Sequence, residues 1–422
     1  MTSSLRRSLN YVFYGGITQS AVDTFATGSL ITAYALLLGA NNIAIGILGA
    51  VPYIGNLMHI LAAYILEKGY SVKKLSLITS FASRPFYLLA ALLAFFVGQS
   101  WTVPALIICL TAVYSIGNIA GGAWRPWMKE LVPNSIMGRF FAHRFKYMMI
   151  AKVVCFLIAY IILKLCAIYI PHQEINVYAC LLVVTFFLSL YGAYTFIPVN
   201  DVQLSLQPDK SFLEKISFCL KSSAFVRLMS ALGSLNFTVN FITPFLTVFM
   251  LKKLNLSMSG VVILTLFSQI IYTTIVKKLG YFADKRGPHL MLYTSLPAFV
   301  IGIIGFMMLN TFNLSVISLW MGLIIIHIFL GIGTAGIALG TNNLSLLYVP
   351  QKASSVYLAV NGTVIAFMGA MGSIISGLTM TFLEKTTNTI THPNMAWYYL
   401  FGITIFLFIP VVLQFKTLKR ID

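Results

Sequence analysis

The chain has 422 residues, of which 59% are hydrophobic and only 9% charged, with a mean hydropathy of +0.89. A soluble chain of this size carries about a quarter charged residues, and no soluble fold hides this much apolar surface, so the bilayer is the solvent that fits. The net charge of +18 then reflects membrane topology and excludes little else: excess Lys and Arg gathers on the cytoplasmic face of membrane proteins, and nucleic acid is not expected as a partner.

A span needs about 20 mostly apolar residues. Charge, Pro and Asn clusters bound twelve such segments, at 11–38, 44–66, 75–98, 103–123, 147–168, 176–197, 225–250, 258–279, 289–309, 316–342, 353–381 and 395–415. Barrel-type alternation is absent, so the expected fold class is an all-α membrane protein of twelve transmembrane helices. The opening MTSSLRRSLNYVFYGG runs into the first segment without a cleavage-like site and reads as a span rather than a signal peptide.

In the first span, GGITQSAVDTFATGS carries Asp23. An ionised carboxylate at that depth must pair, face a water-filled cavity or bind a proton, which makes Asp23 a coupling or substrate-binding candidate. The second span carries His59. Arg84 follows in the third, within SFASRPFYL, to pair with an acid, bind substrate or snorkel to the headgroups. Polar residues of the fourth span include Tyr114 and Asn118. Beyond it, WRPWMKELVPNSIMGRFFAHRF combines Trp124 and Trp127, suited to an interfacial belt, with Arg125, Arg139 and Arg144. Lys152 enters the fifth span, where it can snorkel or bind an anion.

The segment 198–224 is the longest linker, has mixed charge and divides the chain near its midpoint, with room for a short amphipathic surface helix. It separates an expected N-terminal six-helix bundle, 1–197, from a C-terminal one, 225–422. In the second half, Asn236 and Asn240 lie in the seventh span and His327 in the tenth. Buried amides can line a route or simply hold helices together. A single buried histidine can relay a proton or be satisfied locally. GIGTAG at 331–336 lies inside a span with no preceding strand, so its glycines serve helix packing rather than nucleotide binding. The five cysteines follow no ligand spacing; no metal and no cofactor are expected, and no phosphate-cradling G-x-x-x-x-G-K-[ST] loop is present.

With the N-terminus cytoplasmic, the cytoplasmic segments hold 22 of the 28 lysines and arginines, and an even span count puts both termini on that side. Sliding the chain against itself by 217 residues aligns Gly280, Asp284 and Lys285 with Ala63, Glu67 and Lys68. The same offset aligns Pro350 with Pro133, Asn240 with Asp23, and Gly233 with Gly16. One constant offset across distant landmarks indicates duplication, with six spans per copy and the same topology in each.

These features together resemble the major facilitator superfamily over essentially the whole chain. GYFADKRGPH at 280–289 is similar to that family's G-x-x-x-D-[RK]-x-G-[RK]-[RK] loop, with Pro288 and His289 where two bases are usual. AAYILEKGYSVKKL is its degenerate copy. The resemblance implies two parallel-repeat bundles rocking around a central site, with the first, fourth, seventh and tenth spans lining the cavity and the third peripheral. It also implies a conformational latch built from Gly280, Asp284 and Lys285, with Glu67, Lys68 and Arg144 as counterparts.

The function expected is secondary active transport, a proton-coupled symport of a small polar or anionic metabolite, by a monomer in a bacterial inner membrane. The site residues expected for coupling or binding are Asp23, Arg84, Asn118, Asn236, Asn240 and His327. A proton-driven exporter of drugs or siderophore-like compounds and a lipid flippase are the alternatives. The exporter's usual G-P-x-x-G-G stretch is missing from YMMIAKVVCFLIAYIILKL. A membrane enzyme is not expected, because the ten acids are scattered and form no convergent cluster.

Overall fold

The computed structural model describes residues 3–202, 217, 220–309, 311, 315–347, 354–387 and 395–417, and every regular element among them is helical. The first half contains α1 (Ser3–Phe25), α2 (Gly28–Leu37), α3 (Asn42–Asn56), α4 (Met58–Glu67), α5 (Val72–Ser83), α6 (Pro85–Leu92), α7 (Thr102–Leu131), α8 (Asn134–Tyr169) and α9 (Glu174–Tyr194). The second contains α10 (Ser223–Val248), α11 (Met258–Arg286), α12 (Pro288–Leu309), α13 (Val316–Leu347), α14 (Ser354–Thr386) and α15 (Met395–Thr417). Among the described residues, 11 helical segments are long and apolar enough to cross a membrane, from Asn42–Glu67 to Met395–Lys416. They follow the second to twelfth expected spans in order. The chain divides into two compact units, residues 1–44 with 51–212 and residues 45–50 with 213–422. The amphipathic helix expected in the linker falls almost entirely outside the described residues.

Three of the first unit's spans are discontinuous, and local chemistry explains two of the breaks. The first expected span is split between α1 and α2, because Gly28 takes a φ of +59°, a conformation that side-chain-bearing residues avoid. The third is split between α5 and α6 at Arg84. Pro85 has no N–H to donate, and its ring displaces the carbonyl one turn back. The second is interrupted at Leu57, between α3 and α4.

Each unit is held by its own apolar core. In the first, fully buried Trp127 packs with Val12, Leu66, Val72 and Ala123, and its indole N–H donates to the Asn200 carbonyl at 2.8 Å. A buried indole needs such a partner. In the second, Phe249 meets Phe306, Trp397 and Phe401 edge-on, at ring-centroid distances of 5.7, 5.1 and 5.1 Å.

Internal repetition is visible in side-chain geometry. Lys68 Nζ sits 4.6 Å from the Tyr64 ring centroid, and Lys285 Nζ sits 4.6 Å from that of Tyr281. Both pairs are four residues apart, one helical turn, and the two are separated by the same 217 positions. GYFADKR is not a loop: it forms the last turns of α11, and the link to α12 is Gly287 alone, at φ +86°.

Small residues in α13 allow close helix approach, as GIGTAG suggested. A Cβ added to Gly333 would lie 2.6 Å from the Phe299 backbone nitrogen, whereas one added to Gly362 would meet nothing within 4 Å. Gly333→Ala is therefore expected to destabilise by about 1–3 kcal/mol through over-packing. Gly362→Ala should leave the thermal midpoint of the detergent-solubilised protein unchanged. Equal midpoints for the two variants would refute the close packing of α12 on α13.

Candidate functional site

The two explained breaks place opposite charges. Asp23 lies in the last turn of α1, just before the chain leaves the helix. Its carboxylate accepts from Gln19 Nε2 at 2.8 Å, and its carbonyl accepts from Thr27 Oγ1 at 2.6 Å. The interruption frees the Ala26 carbonyl, which accepts from the Tyr114 hydroxyl of α7 at 3.2 Å. Irregular backbone at membrane depth is tolerated where it is buried in protein, and Ala26 is buried here. Arg84, at the proline break of the third span, is only 9% exposed and bonds the Tyr87 hydroxyl one turn on.

Asp23 and Arg84 share one cavity of about 340 Å³, lined wholly by the first unit. Gln19, Tyr87, Tyr114, Asn118 and Arg144 also line it, together with the apolar walls Leu77, Val113 and Phe196. Asp23 keeps solvent access through this space. Lys152 does not line the cavity, but its charge acts on Asp23, as does that of Arg84. Arg144 is fixed twice: Nε donates to the Val12 carbonyl at 3.2 Å, and the guanidinium lies 4.9 Å from the Trp124 ring centroid. It packs over Gly16, where a side chain would collide with it.

Of the expected coupling residues, the structure gathers Asp23, Arg84 and Asn118 into this one cavity. Arg84, at the proline break of the third span, lines this cavity of the first unit. Tyr87 went unremarked in the sequence, although a residue three positions from Arg84 shares its helix face. His59 bonds the Asn118 side chain.

The other three candidates lie in the second unit. Asn236 Nδ2 and Asn240 Nδ2 donate to the Leu232 and Asn236 carbonyls, at 2.9 and 2.8 Å. Asn236 and Asn240 are the repeat counterparts of Gln19 and Asp23, so the second unit repeats the polar pair without its charge. His327 is 3% exposed, its Nδ1 is 2.8 Å from the Leu323 carbonyl and its ring meets Phe306. Those contacts are what a core histidine makes.

The latch candidates are exposed at Glu67, Lys68, Asp284 and Lys285. At Gly280 an added Cβ would meet only Leu339 Cδ2, at an ordinary 3.9 Å.

No family model matches the sequence, and no curated protein matches it. Solved structures match over the full length. A mutant of the nucleoside transporter NupG aligns at 14% identity with a TM-score of 0.72, covering 98% of this chain and 100% of that one. A bacterial homologue of the human lysosomal transporter Spinster, in an inward-facing and occupied conformation, aligns at 11% identity with a TM-score of 0.67, covering 99% and 96%. A POT family transporter in complex with 5-aminolevulinic acid gives 11%, 0.67, 99% and 96%. The chain is thus a multi-pass membrane protein with the fold of major facilitator superfamily transporters.

Two tyrosines test how the broken helix is held. Tyr114→Phe removes the partner of the Ala26 carbonyl and is expected to cost about 1 kcal/mol. Tyr178→Phe should be neutral or stabilising, because that hydroxyl is buried with no hydrogen-bond partner. Unfolding of the two variants in detergent gives the comparison, and the opposite ranking would contradict these assignments.

Proposed function

We propose that the protein is a secondary active transporter that carries a small polar or anionic solute by alternating access, with the proton as coupling ion and Asp23 as its carrier. The observation that carries this reading is the cavity of about 340 Å³ in which Asp23, at a helix break, faces the same space as Arg84. Discontinuous helices beside ionisable residues are the means by which transporters expose backbone and charge to a solute at mid-membrane depth. The full-length likeness to solved transporter structures supports the same class.

In this reading twelve spans form two six-span halves, 1–197 and 225–422, joined by a cytoplasmic linker at 198–224. Both termini are cytoplasmic, and the protein works as a monomer in a bacterial inner membrane without catalysing a reaction. Asp23 takes a proton from one side and releases it to the other as the halves rock. Asn236 and Asn240, with an amide in place of the acid, give the second half solute contacts but no proton site. Asp284 and Lys285, with Glu67 and Lys68, form the charged latch at the ends of α11 and α4, where the repeated Tyr–Lys contacts hold the two lysines in matching positions.

Uptake into proteoliposomes with and without a pH gradient tests the coupling. Asp23→Asn should reduce proton-driven accumulation by about tenfold or more while solute exchange continues. Full accumulation by that variant removes Asp23 from the mechanism. For the latch, Asp284→Asn is expected to shift the labelling of introduced cysteines between the two membrane faces. Unchanged labelling together with unchanged transport leaves Asp284 with a purely topological role.

A further inference from the structure

The carrier reading leaves the charge of the solute open, and Arg84 decides it. The Arg84 side chain is buried, it bonds the Tyr87 side chain, and its Nε has no hydrogen-bond partner. Guanidinium N–H groups are strong donors, and leaving a charged donor buried and unmade costs more than leaving a neutral one. Asp23 does not relieve it: among the described residues no ion pair within 4.0 Å joins the two, and the Asp23 carboxylate is held by Gln19.

The surrounding charges are unequal. Facing Asp23 are Gln19 on its own helix, Arg84 and Tyr87 from the third span, Tyr114 from α7 and Lys152 from α8. Arg144 adds a third cation on the cavity wall. Three cations therefore surround one acid. Arg144 is held by Val12 through Nε and by the Trp124 ring, and Lys152 does not reach the wall, so among the described cations lining the cavity Arg84 is the one with a buried, unpartnered donor.

Resting on the transporter reading of this cavity, we infer that Arg84 is the anion-binding residue and that the solute is a small organic monocarboxylate, loaded together with one proton on Asp23. A guanidinium edge matches the planar geometry of a carboxylate. One offered cation suits one negative charge. The apolar walls of Leu77, Val113 and Phe196 suit an organic body rather than a bare inorganic ion, and about 340 Å³ lies near the small end of ligand pockets.

Electrostatics then couples the two loads. An anion on Arg84 brings a second negative charge to the Asp23 carboxylate and cancels a cation that favoured it. A proton on Asp23 removes the repulsion. By linkage the proton in turn tightens anion binding, so affinity rises as pH falls. One proton with one monoanion carries no net charge. Flux therefore follows the pH gradient and ignores the membrane potential, whereas proton symport of a neutral solute moves one positive charge.

Matched probes test this on the full chain in nanodiscs, by thermal stabilisation and tryptophan fluorescence: benzoate against benzamide, glucuronate against glucose, with lactate and inorganic phosphate as further arms. We expect at least one monocarboxylate to bind and its uncharged partner not to, with binding strengthening between about pH 8 and about pH 5, across the approach to the carboxylate range. Arg84→Gln should weaken that binding by about tenfold or more, and Arg84→Lys should restore part of it. Asp23→Asn should bind with no pH dependence, a readout independent of whether the Arg84 variants fold well. The inference is overturned if no monocarboxylate binds, if the uncharged probes or phosphate bind in their place, or if Arg84→Gln binds as well as the native protein. Accumulation of an uncharged probe under a pH gradient would remove the monocarboxylate and leave the carrier standing. Monocarboxylate binding with no flux under any gradient would do the reverse.

Discussion

Backbone polar groups inside a bilayer have no water to turn to, and this chain departs from continuous helix where it can supply a substitute. At the first-span break the Ala26 carbonyl is met by Tyr114, and the last turn of α1 is tied by Thr27 to the Asp23 carbonyl. At the third-span break Pro85 removes a donor that the helix would otherwise have to place. These two breaks, unlike the one at Leu57, each carry an ionisable side chain that lines the same cavity. The need to satisfy the backbone thus fixes where a charge can be kept inside the membrane, and the site follows from it.

The cavity takes its polar lining from the same interrupted helices. Asp23 and Gln19 lie on α1, Tyr114 and Asn118 on α7, and Arg84 at the α5–α6 break. Helix ends leave backbone groups without intrahelical partners, so these residues sit where the backbone is held by side chains rather than by its own ladder. The second unit has a quieter counterpart. Its Asn236 and Asn240 donate their amides to their own helix, and His327 is enclosed by core contacts. Matching positions are thus polar in both units, but the first pairs side chain with side chain and carries a charge, while the second turns its amides to the backbone.

Much of this was legible in the sequence because it rests on composition and spacing. Apolar segments of bilayer length mark spans wherever they occur, and the 217-residue offset connects Glu67–Lys68 with Asp284–Lys285. Asp23 stood out because an acid is rare and costly at that depth. Arg84 was harder to read. Its span could be found, but the inward turn depends on how the proline kink of that span packs against α7 and α9. Gly280 is the opposite case: its place in the motif is legible in the sequence, and only the neighbouring helix reveals that Leu339 stands at ordinary distance.

The sequence by itself determined that the chain lives in a bilayer, that it is built of helices and that its halves share one pattern. Those properties follow from local chemistry: apolar length, the absence of alternation and recurring spacing. Only the tertiary structure decided which charges meet. Asp23 and Arg84 lie in the first and third spans with a whole span between them, and nothing local states that they share a cavity, that Arg144 is already held by Val12 and Trp124, or that Arg84 Nε remains without a partner. Partnership is a property of packed surfaces, and the packing of α1, α7 and the kinked third span settled it.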